Sequence, residues 1–263
     1  MPPARKRARS YDPAKTRAAV RAQFDHVRAA VLGLTPEQLA APTRLGDWTV
    51  RELAAHLALG YGSVPRALAE PEPATRELEL VEWPFATAPQ AGGVDEAART
   101  AAAGADLPGL YAEVAADLDA VLPDAPDDRV VAMRAGTMRL GDAMVTRAVE
   151  LIVHTDDLNA ATGLAVPYDR AALGACVRLL ADALAVKAPG GSVEVRVPPY
   201  AVVQCVPGPR HTRGTPPNVV ETDPLTWLRL ATGRARWADE VAAARVRAGG
   251  ERADLAALLP VMS

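Results

Sequence analysis

Three ionisable residues at helical spacing stand out in the stretch TRAVELIVHTDDL, residues 146–158. Glu150 and His154 are four residues apart and Asp157 follows three later, so their side chains would share one face of a helix. Burying such groups beside residues like Leu151 costs free energy unless a partner compensates the charge. The stripe is therefore either exposed to solvent or compensated inside the protein.

A second histidine, His56 in the stretch WTVRELAAHL, is predicted to point inward from another helix. Facing helices of a bundle can bring such side chains together at one depth. Two histidines and a glutamate around an open fourth position form a known catalytic zinc shell. The pattern thus predicts a divalent metal ion, most simply Zn²⁺, held by His56, Glu150 and His154. Asp157 would fix a histidine tautomer from behind.

Simpler explanations stay open for each of these residues. A glutamate and a histidine four residues apart form a weak ion pair on many exposed helices. His56 taken alone is explained by a core histidine bonded to a backbone carbonyl. Two further histidines, His26 and His211, are predicted to lie in solvent and in a loop rich in Pro and Gly.

The sequence contains no recognisable built-in nucleophile. It has no G-x-S-x-G elbow, no P-loop and no G-x-G-x-x-G after a predicted strand. Cys176 and Cys205 lie in apolar segments and are predicted to be core residues. If the protein is an enzyme, a metal with bound water or an external thiol must supply the reactivity. A dication can deprotonate a bound thiol at neutral pH.

Several arginines could hold an anionic substrate or cofactor, because a guanidinium group binds a carboxylate through two parallel hydrogen bonds. Arg229 and Arg234 lie in WLRLATGR, and Arg210 and Arg213 lie in PGPRHTRGTPP. For any one of them, an ordinary surface position is the alternative.

Four long helices are predicted to position these groups, over about residues 13–32, 48–70, 107–122 and 139–162. Asp12-Pro13 and the capping box of Thr49 and Glu52 mark two of the helix starts, and Gly163 marks the last helix end. A short helix should begin at TPEQL. Residues 71–93, rich in Pro, Gly and Glu, are predicted to form a long loop of the kind that often covers a pocket.

After Gly163 the pattern changes to mixed helices and strands. A helix is predicted over about 170–186, followed by the strands SVEVRV, YAVVQCV and NVVET. The remaining segments are predicted as a helix at LTWLRLATG, a short helix at WADEVAAA, an edge strand at RVRAG and a terminal helix at DLAALL. We therefore predict a multi-domain protein. An all-α four-helix bundle over residues 10–163 is followed by a smaller α+β domain over 164–263.

Composition limits the class of protein and its partners. The 263 residues are 49% hydrophobic and 23% charged, which is typical of a soluble globular protein, and the net charge of −3 gives no support for a nucleic-acid partner. No segment approaches the roughly 20 apolar residues of a membrane span, and no secretory signal or disulfide framework is visible. These features predict a cytoplasmic monomer or homodimer that binds neither nucleic acid nor membrane.

The two motifs WTVRELAAHL and TRAVELIVHTDDL together resemble the mycothiol-dependent maleylpyruvate isomerase family. The resemblance implies a DinB-like N-terminal bundle holding a divalent metal, usually zinc, through His56, Glu150 and His154. The tail ETDPLTWLRLATGR…ERADLAALLP resembles a sterol carrier protein-like domain. A C-terminal arginine contributes to activity in this family, and Arg229 is the best match, with Arg234 assigned to the thiol cofactor.

Two functions follow as hypotheses. The first is a metal-dependent isomerase or transferase in which mycothiol attacks a small electrophilic substrate. The second is a carrier that holds an apolar ligand in the C-terminal domain, with a structural or vestigial metal site. A cleft joining the metal to arginines would favour the enzyme, whereas an apolar tunnel remote from the metal would favour the carrier.

Overall fold

The chain forms a helical N-terminal domain and a smaller α+β C-terminal domain, which confirms the predicted fold class. The structure, a computed structural model, describes residues 9–104, 106–208 and 217–262. The last bundle helix ends at Gly163, which takes the left-handed conformation (φ 71°) that glycine adopts without strain. The predicted boundaries, 10–163 and 164–263, remain a prediction.

Four long helices make up the N-terminal bundle: α1 (Pro13–Leu32), α3 (Val50–Tyr61), α6 (Leu107–Val121) and α7 (Leu140–Thr162). Helices α1 and α3 each pack against both α6 and α7. The predicted start signals act as expected. Asp12 accepts a hydrogen bond from the backbone N–H of Lys15, and Thr49 and Glu52 form a reciprocal capping box.

An aromatic stack ties three of these helices together. The Phe24 ring of α1 lies 3.6 Å from the Tyr61 ring of α3 and 5.3 Å from the Tyr111 ring of α6, measured between centroids. The Tyr111 hydroxyl donates to the carbonyl of Ala54 at 2.8 Å, so its buried polar end is satisfied. This stack fixes α3, the helix that carries His56.

Shorter elements surround one side of the bundle and correct the sequence prediction. The predicted second long helix is divided at Gly62 into α3 and α4 (Ser63–Ala69). The predicted loop 71–93 contains 3₁₀ turns at Leu80–Phe85 and Ala88–Gln90 and then enters α5 (Ala91–Gly104), which packs on α3. The helix α2 is Pro36–Leu39, and a hairpin of β1 (Val130–Met133) and β2 (Gly136–Arg139) precedes α7.

The C-terminal domain begins with α8 (Arg170–Lys187) and has a four-stranded sheet of order β4-β3-β5-β6. The strands are β3 (Val193–Val197), β4 (Ala201–Cys205), β5 (Val219–Thr222) and β6 (Val246–Gly249); β3 and β5 are parallel and the other pairs antiparallel. Helices α9 (Pro224–Ala231) and α10 (Trp237–Ala242) follow β5. The predicted terminal helix is only a 3₁₀ turn, Ala256–Leu258.

Helix α8 belongs to both halves of the molecule. It packs against α1 and α7 of the bundle and against β4 and α9 of the C-terminal domain. The two domains thus share a continuous apolar interior, and α7 lies close to the C-terminal domain. Within the described ranges, none of the helices combines the length and the hydrophobicity that crossing a bilayer requires.

Candidate metal site and adjoining cavity

The two predicted histidine ligands face each other between α3 and α7. The ring centroids of His56 and His154 are 4.8 Å apart, and the rings meet edge to face at 89°. The Trp48 ring lies 5.3 Å from His56 on another side. Burial, with the nearby charges of His154 and Arg147, keeps the pKa of His56 well below its ordinary value, so this imidazole is neutral at pH 7.

Glu150 lines the same small pocket as both histidines, but its carboxylate is paired with an arginine. Arg147, one turn earlier on α7, donates from Nη1 to Oε2 at 2.8 Å and from Nη2 to Oε1 at 3.0 Å. Gly60 of α3 lets the backbone approach this pair, because a Cβ there would lie 3.2 Å from Oε2 of Glu150. Sequence reasoning missed Arg147, although an arginine three residues before a glutamate on a helix is a visible signal.

Asp157 lies behind His154, as predicted for a residue that orients a histidine. Its Oδ2 is 2.9 Å from Nδ1 of His154. It also accepts hydrogen bonds from Arg44 and Arg234, and its side chain is fully buried. Burial alone would raise the pKa of Asp157, but the hydrogen bonds from His154 and Arg234 lower it, so the carboxylate is ionised.

The neighbouring Asp156 is a second buried carboxylate. It is 1% exposed and accepts hydrogen bonds from Arg229, Arg44 and the Tyr168 hydroxyl. Burial opposes ionisation here too, but the bonds from Arg229 and Arg44 outweigh it and lower the pKa. Arg44 therefore bridges both aspartates, a role that no local sequence signal indicates.

The two arginines predicted to bind substrate and thiol, Arg229 and Arg234, form hydrogen bonds with these aspartates. Arg229 donates to Asp156 at 2.7 Å, and Arg234 donates to Asp157 at 2.7 Å. Neither lines the two cavities described here. Their predicted direct roles therefore stay predictions, and these contacts tie the C-terminal domain to α7. Arg210, Arg213 and His211 lie outside the described residues, and His26 is half-buried rather than solvated.

The donors suit a divalent cation only in part. A neutral imidazole, and a second imidazole whose Nδ1 is held by a carboxylate so that Nε2 remains available, are the donors that zinc uses. Both carboxylate oxygens of Glu150, however, already accept hydrogen bonds from Arg147. Among the described residues, no three His, Cys, Asp or Glu side chains are grouped closely enough to enclose an ion. Binding a cation therefore requires Glu150 to turn away from Arg147 or to share an oxygen.

A larger cavity of about 330 Å³ adjoins the histidine pocket. It shares His56, Gly60, Arg147 and Glu150 with that pocket, and α4, α5, the 3₁₀ turns before α5 and the β1–β2 hairpin complete its wall. Two arginines that the sequence did not single out, Arg66 and Arg134, also line it. The cleft that joins the histidines to arginines thus exists, but the arginines come from the helical domain.

The fold and site together define a DinB-like helical domain with a histidine pair in its core, joined to a sterol carrier protein-like domain. The family model for the mycothiol maleylpyruvate isomerase N-terminal domain matches residues 5–159, and the model described as bacterial SCP ortholog matches residues 169–261. The chain belongs to the mycothiol-dependent maleylpyruvate isomerase family.

Solved structures agree with this assignment at the level of the fold. The crystal structure of the mycothiol-dependent maleylpyruvate isomerase superposes with a TM-score of 0.61 at 16% identity, covering 93% of this chain and 95% of that chain. A histidine-to-alanine mutant of that isomerase gives the same values. At this identity the likeness establishes the shared architecture of both domains.

A curated relative matches a shorter part of the chain. A protein of Geobacillus thermodenitrificans, named as a candidate metal-dependent hydrolase, is 41% identical over 70 residues, which cover 25% of this chain and 39% of that protein. The present chain thus spans about two fifths of the length of this relative.

Proposed function

We propose that this protein is a metal-dependent isomerase or transferase that uses a low-molecular-weight thiol, mycothiol, to act on a small electrophilic substrate. The observation that carries the proposal is the edge-to-face pair of His56 and His154, with Glu150 in the same pocket and Asp157 behind His154. Membership of the mycothiol-dependent maleylpyruvate isomerase family supports the choice of thiol.

In this proposal His56, Glu150 and His154 hold a divalent cation, with Zn²⁺ as the first candidate. Bound there, the cation supplies Lewis acidity that favours ionisation of a thiol at neutral pH. His56 is ready to bind a cation because its buried imidazole is neutral. Asp157 keeps the Nδ1 side of His154 occupied, so that Nε2 is the nitrogen that faces the pocket.

The nucleophile must come from outside the chain. Both cysteines are buried and so not accessible to a substrate, and burial raises the pKa of the Cys176 thiol. The cavity beside the histidines has room for a small substrate, and part of its wall is apolar. Arg229 and Arg234 act, in this proposal, by positioning α7 through Asp156 and Asp157.

The carrier hypothesis and a hydrolase are the alternatives. A carrier would be favoured by an apolar cavity in the C-terminal domain, whereas both cavities described here adjoin the histidines. Hydrolysis is suggested by the name of the curated relative. Thiol dependence separates the hydrolase from the proposed activity, because a hydrolase needs only water as co-substrate.

Metal analysis of purified protein and of the His56→Ala and Glu150→Ala variants tests the proposal. We expect one divalent ion per chain in the natural protein and loss of that ion from both variants. His26→Ala, which removes a histidine of α1 outside the pocket, should retain it. Metal-loaded protein is then assayed with electrophiles in the presence of mycothiol or glutathione. Absence of bound metal, or turnover that no thiol changes, would reject the proposed function.

A further inference from the structure

Three arginines from different elements converge on the larger cavity. Arg147 of α7 lies at the inner end beside Glu150 and is 8% exposed. Arg66 of α4 and Arg134, at the turn between β1 and β2, line the same cavity and are exposed to solvent, which places them at its mouth. The Arg134 guanidinium reaches α5, because its Nη1 would lie 2.7 Å from a Cβ at Gly93.

Their charges are not balanced within the cavity. Glu150 is the one acidic side chain among the described lining residues, and Arg147 already pairs with it. Arg66 donates to the backbone carbonyl of Leu59 at 2.7 Å, and no hydrogen bond or ion pair joins Arg134 to any residue that the structure describes. The positive charges of Arg66 and Arg134 at the mouth are therefore not compensated by a carboxylate of the cavity wall.

The pKa of Arg66 also reflects the two neighbouring positive charges. Although Arg66 is exposed at the mouth, its partial burial in the cavity wall lowers its pKa, and the charges of Arg134 and Arg147 lower it further. Asp117 acts in the opposite direction, but it lies on an exposed face of α6 and does not line the cavity. Like charges held together at a cavity mouth are stabilised when an anion binds between them.

The rest of the wall limits what that anion can be. Leu59, Trp83, Val94 and Met133 contribute apolar surface to the same cavity wall. An ion without an apolar part would leave this surface in contact with water, whereas an organic acid would cover it. A guanidinium group matches the planar shape of a carboxylate.

We infer that Arg134 and Arg66 select substrates that carry a carboxylate on an apolar body, with the carboxylate at the mouth and the body directed towards His56. This inference rests on the proposed function in one respect, because the ligand is a substrate only if the protein is the proposed enzyme. Binding itself requires neither metal nor thiol, so it can be tested on metal-free protein.

Calorimetric titration of chelator-treated protein with trans-cinnamate and with cinnamamide tests the inference. The two probes share an aromatic body, and only the first carries a charge. We expect cinnamate to bind with roughly tenfold or higher affinity than cinnamamide, because a hydrogen bond to a charged group typically changes affinity by about that factor. Arg134→Gln and Arg66→Gln should each reduce this preference. Arg236→Gln, which removes a guanidinium from a side chain that is 84% exposed, should not.

Three results would overturn the inference: equal binding of the acid and the amide, no binding of cinnamate, or an unchanged preference in both variants. Inorganic phosphate is titrated as well, and binding as tight as that of cinnamate would indicate a site for small ions instead. Folding of each variant is checked by urea unfolding. The proposed function is decided separately, because metal stoichiometry at His56 and Glu150 does not depend on cinnamate.

Discussion

Nδ1 of His154 and Oδ2 of Asp157 are 2.9 Å apart, and that oxygen also accepts a hydrogen bond from Arg234 of the C-terminal domain. A side chain of the candidate metal site is thus oriented by a carboxylate that the other domain holds in place. The histidine pocket and the domain interface are therefore parts of one hydrogen-bonded network on α7.

Replacing Asp157 with Asn should weaken metal binding. The amide keeps the shape of the side chain but loses the charge that orients His154, and loss of such a partner typically reduces metal affinity about 10–100-fold. Competition with a chromophoric zinc chelator measures the change. Asp239→Asn removes a carboxylate that is 63% exposed and should leave the affinity as it is. Equal affinities in the two variants would contradict the orienting role.

Replacing Arg147 with Gln should strengthen metal binding. The guanidinium holds both oxygens of Glu150 and places a positive charge beside the pocket, so it competes with any cation. Removing a charge-assisted hydrogen bond should raise the affinity roughly tenfold or more, as measured by the same chelator competition. Arg236→Gln is the matched control. Weaker metal binding in Arg147→Gln would mean that Arg147 supports the site instead of competing for it.

The two arginines of the domain interface should differ in their contribution to the free energy of unfolding. Arg234→Gln leaves the fully buried Asp157 with one guanidinium fewer, and breaking a buried pair typically costs about 3–5 kcal/mol. Arg229→Gln should cost less, because Arg229 is 39% exposed and Asp156 keeps Arg44 and Tyr168. Urea unfolding at pH 7 gives both values. The reverse ranking would show that the interface depends mainly on Asp156.

Acid should loosen the contact between α5 and the start of α3. Trp48 Nε1 donates to Asp95 at 2.6 Å, and this bond, together with Arg99, lowers the pKa of Asp95. The stabilisation is therefore fully present above the unfolded-state pKa of about 3.9 and is lost as the pH falls through the lower folded-state value.

The indole N–H resonance of Trp48, followed by NMR between neutral and acid pH, reports this contact. We expect it to shift in the acid range and to lose that dependence in Asp95→Asn. Glu96→Gln changes the exposed neighbouring carboxylate and should retain the shift. A resonance that titrates identically in all three proteins would place its cause elsewhere.

Helix ends were the most predictable part of the fold, because their signals are local. The boxes of Thr35 with Gln38 and of Thr49 with Glu52, and the stop at Gly163, could be assigned from neighbouring residues alone. Helix α5 could not. It begins with Ala-Gly-Gly, and its buried residues are only the small side chains of Ala98 and Ala102, so no large apolar residues mark its inner face.

The residues of the candidate site also differ in how far the sequence predicts them. His56, Glu150 and His154 were predictable as neighbours because two lie one turn apart and the third lies on a well-signalled helix, and all three line one pocket. Arg66 and Arg134 were not, because their meeting depends on how a short helix and a hairpin fold back over the bundle. Long-range partners such as Arg44 carry no periodic signal at all.

The twin aspartates of α7 have a consequence for dissecting the protein. Shortening the chain to residues 1–163 would follow a natural break in the sequence, yet it would strip Asp156 and Asp157 of Arg229 and Arg234. In the truncated product, Arg44 would be the one arginine of the three that still binds the two adjacent carboxylates. Both carboxylates are buried in the full chain and would become exposed. The two halves match separate family models, yet each supplies charges that the other needs, so a fragment of the bundle alone would need both acids neutralised.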